Sequence, residues 1–153
     1  KYKGETAAYW LLTTEQGQKI LLNNPDLTKK INTESLNHAI EEGQLKGESA
    51  VFWLCGTTQG REILLKHEDL IEKINIESIN YVIQVGKYRG YSAVLWLCGY
   101  SQGREMLLKH VDLVEKINTE SLNHVIQEGE HKGHSAAFWF CCTNSPAKLY
   151  SFL

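Results

Sequence analysis

The chain has 153 residues, of which 42% are hydrophobic and 22% charged, with a formal charge of −2. That composition suits a globular domain with a sizeable core and argues against a dedicated nucleic-acid binder, which carries a basic excess. The longest apolar runs, 50–55 and 136–142, fall far short of the roughly 18 residues a membrane-spanning helix needs.

Gly4, Gly47, Gly90 and Gly133 recur every 43 residues, and Trp10, Trp53, Trp96 and Trp139 keep the same step. So do Gly17/Gly60/Gly103, Asn32/Asn75/Asn118 and Gly43/Gly86/Gly129. The period predicts one repeat domain over 1–153, with units 3–45, 46–88 and 89–131 and a half unit 132–153. A unit of this size cannot bury its own apolar face, so neighbours must stack into a continuous core. The chain starts without Met and stops inside a unit, which is the expectation for a fragment of a longer protein.

In chain order through the second unit, Ser49 precedes the apolar run 50–55, and Thr6, Ser92 and Ser135 stand at equivalent points. A hydroxyl before an apolar run caps a helix N-terminus, and a run with no polar face predicts a first helix buried on all sides. Gly56-Thr57-Thr58 reads as a turn, and 59–67 as an amphipathic second helix. Pro25, just past that helix in the first unit, makes 69–74 a separate short turn of helix. Asn75 then caps a third helix, with Ile79, Val82 and Ile83 as its core face and Gly86 as its terminator. Residues 87–90 loop into the next unit. With no strand-like alternation anywhere, the expectation is an all-α, right-handed α-solenoid of about three and a half repeats.

Ser49-Ala50-Val51, Trp53-Leu54-Cys55 and Gly60-Arg61-Glu62-Ile63-Leu64-Leu65 resemble the ankyrin pattern of a capped apolar helix, a Gly and a Leu-rich helix. The likeness covers about half of each unit. The unit is longer than ankyrin's roughly 33 residues and nearer in length to armadillo or HEAT repeats, whose motifs are not visible. The array is also similar in style to helical repeats of bacterial effector proteins. These resemblances imply protein–protein recognition without catalysis, and for a bacterial effector a place in the host cytoplasm.

Cys55, Cys98 and Cys141 share one column, which places them about 10 Å apart, too far for disulfides. They read as small buried hydrophobes in a reducing, intracellular compartment, and Cys142 sits beside the last of them. The Trp column reads as core. Asn37, Asn80 and Asn123 read as hydrogen-bonding to the neighbouring unit's backbone, repeated up the stack. Cys55 with His67 and Cys98 with His110 would be thiol–imidazole pairs only if a buried helix met an exposed one. His131, His134, Cys141 and Cys142 have a spacing that matches no familiar zinc pattern. Lys46, Arg89 and Lys132 form a basic column at the unit junctions. No catalytic residue, metal site or cofactor is expected.

The functional candidates are positions where the second unit and its junction break the pattern. Tyr81 replaces His38 and His124, Val85 replaces Glu42 and Glu128, and Tyr88 replaces Leu45 and His131. On a helix, 81, 85 and 88 share one face, and Tyr91 continues the patch past Arg89. The expectation is that Tyr81, Val85, Tyr88, Arg89 and Tyr91 anchor a protein or peptide partner across units two and three. The alternatives are a structural spacer or dimerisation arm beside a catalytic domain elsewhere, and a nucleic-acid-binding helical repeat. The sequence leaves oligomeric state open.

Overall fold

The structure, a computed structural model, describes residues 6–143. Those residues are all-helical, with a single isolated antiparallel bridge, Ala39 to Ser49, as the β-type pairing among them. Each unit opens with a short apolar helix: α1 (Ala7–Thr13), α5 (Ala50–Gly56), α9 (Ala93–Gly99) and α13 (Ala136–Thr143). A second helix follows in α2 (Glu15–Asn23), α6 (Thr58–Lys66) and α10 (Ser101–Lys109). Next comes a short one in α3 (Pro25–Thr28), α7 (Glu68–Glu72) and α11 (Val111–Glu115). The unit's last helix is α4 (Thr33–Asn37), α8 (Ile76–Asn80) or α12 (Thr119–Asn123).

Capping explains the starts. The hydroxyls of Thr6, Ser49, Ser92 and Ser135 accept from the N–H three residues on, at 3.1, 3.2, 3.2 and 3.1 Å. Thr14 and Thr57 cap the second helices on Gly17 and Gly60, so the expected turn at 56–58 is also a helix start. Pro25 occupies the first turn of α3 as its fixed φ favours. Asn32, Asn75 and Asn118 each accept from a Ser N–H at 2.8 Å to start the fourth helices. Gly60 lets α6 lie directly on α5, because a Cβ there would stand 2.6 Å from the Leu54 Cα and carbonyl oxygen.

Two expectations need correction. The helix that starts after Asn75 ends at Asn80, and Tyr81 is already extended (φ −62, ψ 124). The Ile83 N–H donates to the Tyr91 carbonyl and the Gly90 N–H to the Ile83 carbonyl, both at 2.8 Å, so residues 83–91 close a hairpin-like loop. That pairing, the β-branched Val82-Ile83 and the positive φ of Gly86 and Gly90 outcompete helix continuation. Positions 81, 85 and 88 therefore do not share a helix face. Gly86 serves the loop, not a helix C-terminus. Second, the first helices are not buried all round: Trp53 and Trp96 are half-buried at the core's edge and Trp10 is exposed.

Equivalent elements of successive units lie against one another. α5 packs between α1 and α9, α6 between α2 and α10, and α13 against α9. The expected asparagine contacts are present. Asn37 Nδ2 donates to the Lys73 carbonyl at 2.7 Å, while its Oδ1 accepts from Asn75 N–H at 2.8 Å and Ser78 Oγ at 2.5 Å. Asn80 repeats this with the Lys116 carbonyl, Asn118 N–H and Ser121 Oγ at 2.6, 2.9 and 2.5 Å. A second column, Gln18, Arg61 and Arg104, bonds the first-helix carbonyls of Leu12, Cys55 and Cys98 at 2.7, 2.9 and 2.9 Å. No helix of the described residues is long and apolar enough to cross a membrane.

Candidate binding surface

The three hairpin loops are built alike. Gly43/Gly47, Gly86/Gly90 and Gly129/Gly133 all have φ between 80 and 89°, which a side chain adopts only with strain. Successive loops touch. A Cβ on Gly47 would strike the Tyr81 ring, and one on Gly86 the Gln44 carbonyl. Tyr81 thus lies over the preceding unit's loop, with about a third of its surface (38%) still exposed.

The five candidate residues divide into two groups. Tyr88 turns inward, with its ring 5.5 Å from Phe52, 5.4 Å from Trp53 and 5.8 Å from Tyr91. Tyr91 is 8% exposed and stands 5.1 Å from Trp96, and burial raises its hydroxyl pKa above the ordinary value. These two tyrosines weld the second unit to the third. Tyr81, Val85 and Arg89 remain at the surface. Arg89 reaches across to the next unit, with its Nη1 3.4 Å from Glu128 Oε1. Beside that pair is a cleft of about 130 Å³ lined by Val82, Gln84, Arg89, His124, Gln127 and Glu128, among others. Leu45 and Val125 add apolar exposure on the first and third loops. The cleft suits a single side chain and is smaller than a drug-sized ligand site.

His124, Gln127 and Glu128 escaped the sequence reading because they fit the repeat, and only the loop geometry brings them to Arg89. Two other contacts also escaped it, one between units and one within the second unit. Arg61 is buried, with its guanidinium carbon 3.8 Å above the Tyr100 ring and its Nε 3.3 Å from Gln102 Oε1. Tyr100, replacing Thr57 in its column, was the available signal. Glu48 is also buried and accepts from Trp53 Nε1 at 2.9 Å. Burial raises its pKa, against the lowering effect of that bond. Tyr91 replaces Glu48 in the third unit, and the Trp96 indole N–H there is buried without a partner.

The cysteine–histidine pairs are separated by their surroundings. Burial pushes the Cys55 thiol up to about 12 and the Cys98 thiol to about 11, opposite to what a nucleophile needs. His67 Nδ1 instead lies 3.1 Å from Thr28 Oγ1, across the first unit junction. His131 and His134 stack with each other and meet the Trp139 ring edge-on, while Cys141 and Cys142 are exposed at the far end of α13. No group of three or more His, Cys, Asp or Glu side chains placed to hold a metal occurs among the described residues. Comparison with protein-family models, with characterised proteins and with solved structures finds no match to this chain.

Proposed function

We propose that this chain is a protein-interaction module, a right-handed α-solenoid of about three and a half 43-residue repeats whose hairpin loops present the binding surface. The observation that carries the reading is the cleft between the second and third loops, with Arg89 at its wall, Tyr81 exposed just before the second loop and Val85 exposed within it. An exposed arginine beside aromatic and aliphatic side chains has the composition of an interface hot spot. A partner peptide lies along the loops, placing one side chain in the cleft and apolar contacts on Tyr81 and Val85. Tyr88 and Tyr91 hold the loop in place from beneath and do not touch the partner. The ankyrin- and armadillo-like resemblances favour the same class of function by fold analogy.

Selection of peptides from a display library against the chain tests this. Peptides enriched on the wild type should lose at least about 10-fold in affinity on Tyr81→Ser and Arg89→Ala, the loss of one hot-spot contact. Enriched peptides that bind both variants unchanged would place recognition elsewhere.

A further inference from the structure

The three loop tips carry different charge on one backbone frame. The first, 41–46, has Glu41, Glu42 and Lys46, and the third, 127–132, has Glu128, Glu130 and Lys132, so each is net negative. Between them the second, 84–89, has Lys87 and Arg89 and no carboxylate. Val85 stands where its neighbours have Glu42 and Glu128, and Lys87 where they have Gln44 and Glu130. All of these charged side chains are exposed. The second loop has a loop on either side, meeting Gln44 at Gly86 and Glu128 at Arg89, and it still exposes residues 84–87. Exposure therefore belongs to the tips themselves and does not depend on a neighbouring unit being absent. Along the row the charge runs negative, positive, negative.

The cations of the middle loop are open to a new partner. Lys87 has no acidic partner among the described residues, and its Nζ stands 5.3 Å from the centroid of the inward-turned Tyr88 ring. The ion pair of Arg89 with Glu128, at 3.4 Å, joins side chains that are 63% and 69% exposed, and a pair of that kind contributes little. Units stacked helix on helix step by about 10 Å, and an extended peptide advances about 3.3 Å per residue, so adjacent loops fall about three peptide residues apart. Resting on the loop-surface reading above, we propose that the partner is an extended peptide segment with one acidic residue and a basic residue about three positions to each side of it. Its carboxylate meets Lys87 and Arg89 at the cleft wall. One basic residue takes Glu128 and Glu130, and the other takes Glu41. Glu128 thus exchanges Arg89 for a cation of the partner, and no charge is left unpaired. Tyr81 and Val85 contact the residues between the charges. The order reads alike in both chain directions, so it fits either peptide polarity. An all-acidic segment is opposed by the first and third loops, and an all-basic one by the second.

Selection from a random-peptide display library, followed by fluorescence anisotropy on synthetic peptides, tests the proposal. Enriched peptides should align on a basic, acidic, basic order at steps of about three residues. In one such peptide the acidic residue is then exchanged with one of the basic residues, which keeps composition and net charge. That exchange should weaken binding to the wild type at least about 10-fold, and it needs no protein variant that could misfold. The double variant Lys87→Glu, Arg89→Glu, checked by circular dichroism, should likewise lose at least about 10-fold for the original peptide. Tyr81→Ser separates this proposal from the reading beneath it. Peptides that weaken on Tyr81→Ser yet tolerate the exchange would overturn the charge-ordered partner and leave the loop surface standing. So would a pool with no charge order, or with one sign throughout, that still depends on Tyr81. Peptides indifferent to both Tyr81→Ser and Arg89→Ala, or a library that yields no binder, would overturn both.

Discussion

Replacing Asn80 with Ala removes a side chain that makes four hydrogen bonds. One, to the Ile76 carbonyl, lies within its own helix, while those with the Lys116 carbonyl, the Asn118 N–H and Ser121 Oγ cross to the third unit. At about 1 kcal/mol net for each neutral hydrogen bond, the crossing set is worth about 3 kcal/mol. Ser121 is buried and cannot recover its bond from water, whereas Asn118 is exposed and can. The expected loss is therefore about 2–3 kcal/mol. Asn123 is the internal control: it has the same residue type and helix position and bonds only the Thr119 carbonyl among the described residues. Asn123→Ala should cost less than about 0.5 kcal/mol, as surface changes do. Differences in helix propensity cancel between the two. Equilibrium urea unfolding followed by Trp fluorescence and circular dichroism gives both values, and unchanged m confirms a common transition. Asn37→Ala should match Asn80→Ala. Equal losses at Asn80 and Asn123 would refute the claim that this column joins units.

Three further outcomes follow from the same geometry. In the native protein, Ellman's reagent should modify Cys141 and Cys142, while Cys55 and Cys98 react only on unfolding because burial suppresses their thiolates. Glu48 has a folded-state pKa raised above 4.5, so the native state holds its proton to higher pH than the unfolded state does. Stability contributed at this site is thus greatest below the unfolded value and falls as pH rises through the folded one. Glu48→Gln keeps an acceptor for Trp53 Nε1, so its stability relative to wild type should improve across that window and then level off in pH-dependent denaturation curves. Gly60→Ala places a Cβ against the Leu54 backbone and should lower stability by about 1–3 kcal/mol in thermal melts. Gly99→Ala meets nothing within 4 Å in the last turn of α9 and should raise stability by up to about 1 kcal/mol.

Much of the helical layout was legible because its signals are local. Hydroxyl caps before apolar runs, Pro25 at the start of α3 and Asn75 before α8 each act within a turn of the residue concerned. The asparagine column was legible for a different reason: a poor helix former repeated at one position points to an external partner. The failure at 81–85 came from competition at longer range. Ile79, Val82 and Ile83 fit a helical period, but the Ile83 backbone is claimed by Tyr91 and Gly90, a pairing that sequence periodicity does not encode. That one misreading merged two inward-facing tyrosines with three outward-facing residues into a single patch. The cleft was illegible from sequence because His124, Gln127 and Glu128 obey the repeat, and their meeting with Arg89 depends on how adjacent loops are offset.

The central claim, that the loop surface of units two and three recognises a partner, is tested most directly by amide chemical-shift mapping with a display-selected peptide. The account predicts perturbations concentrated at residues 81–90 and 124–128, with little change in α6 and α10. Perturbations concentrated on those second helices, or library selection that yields no peptide binding the folded chain, would contradict it.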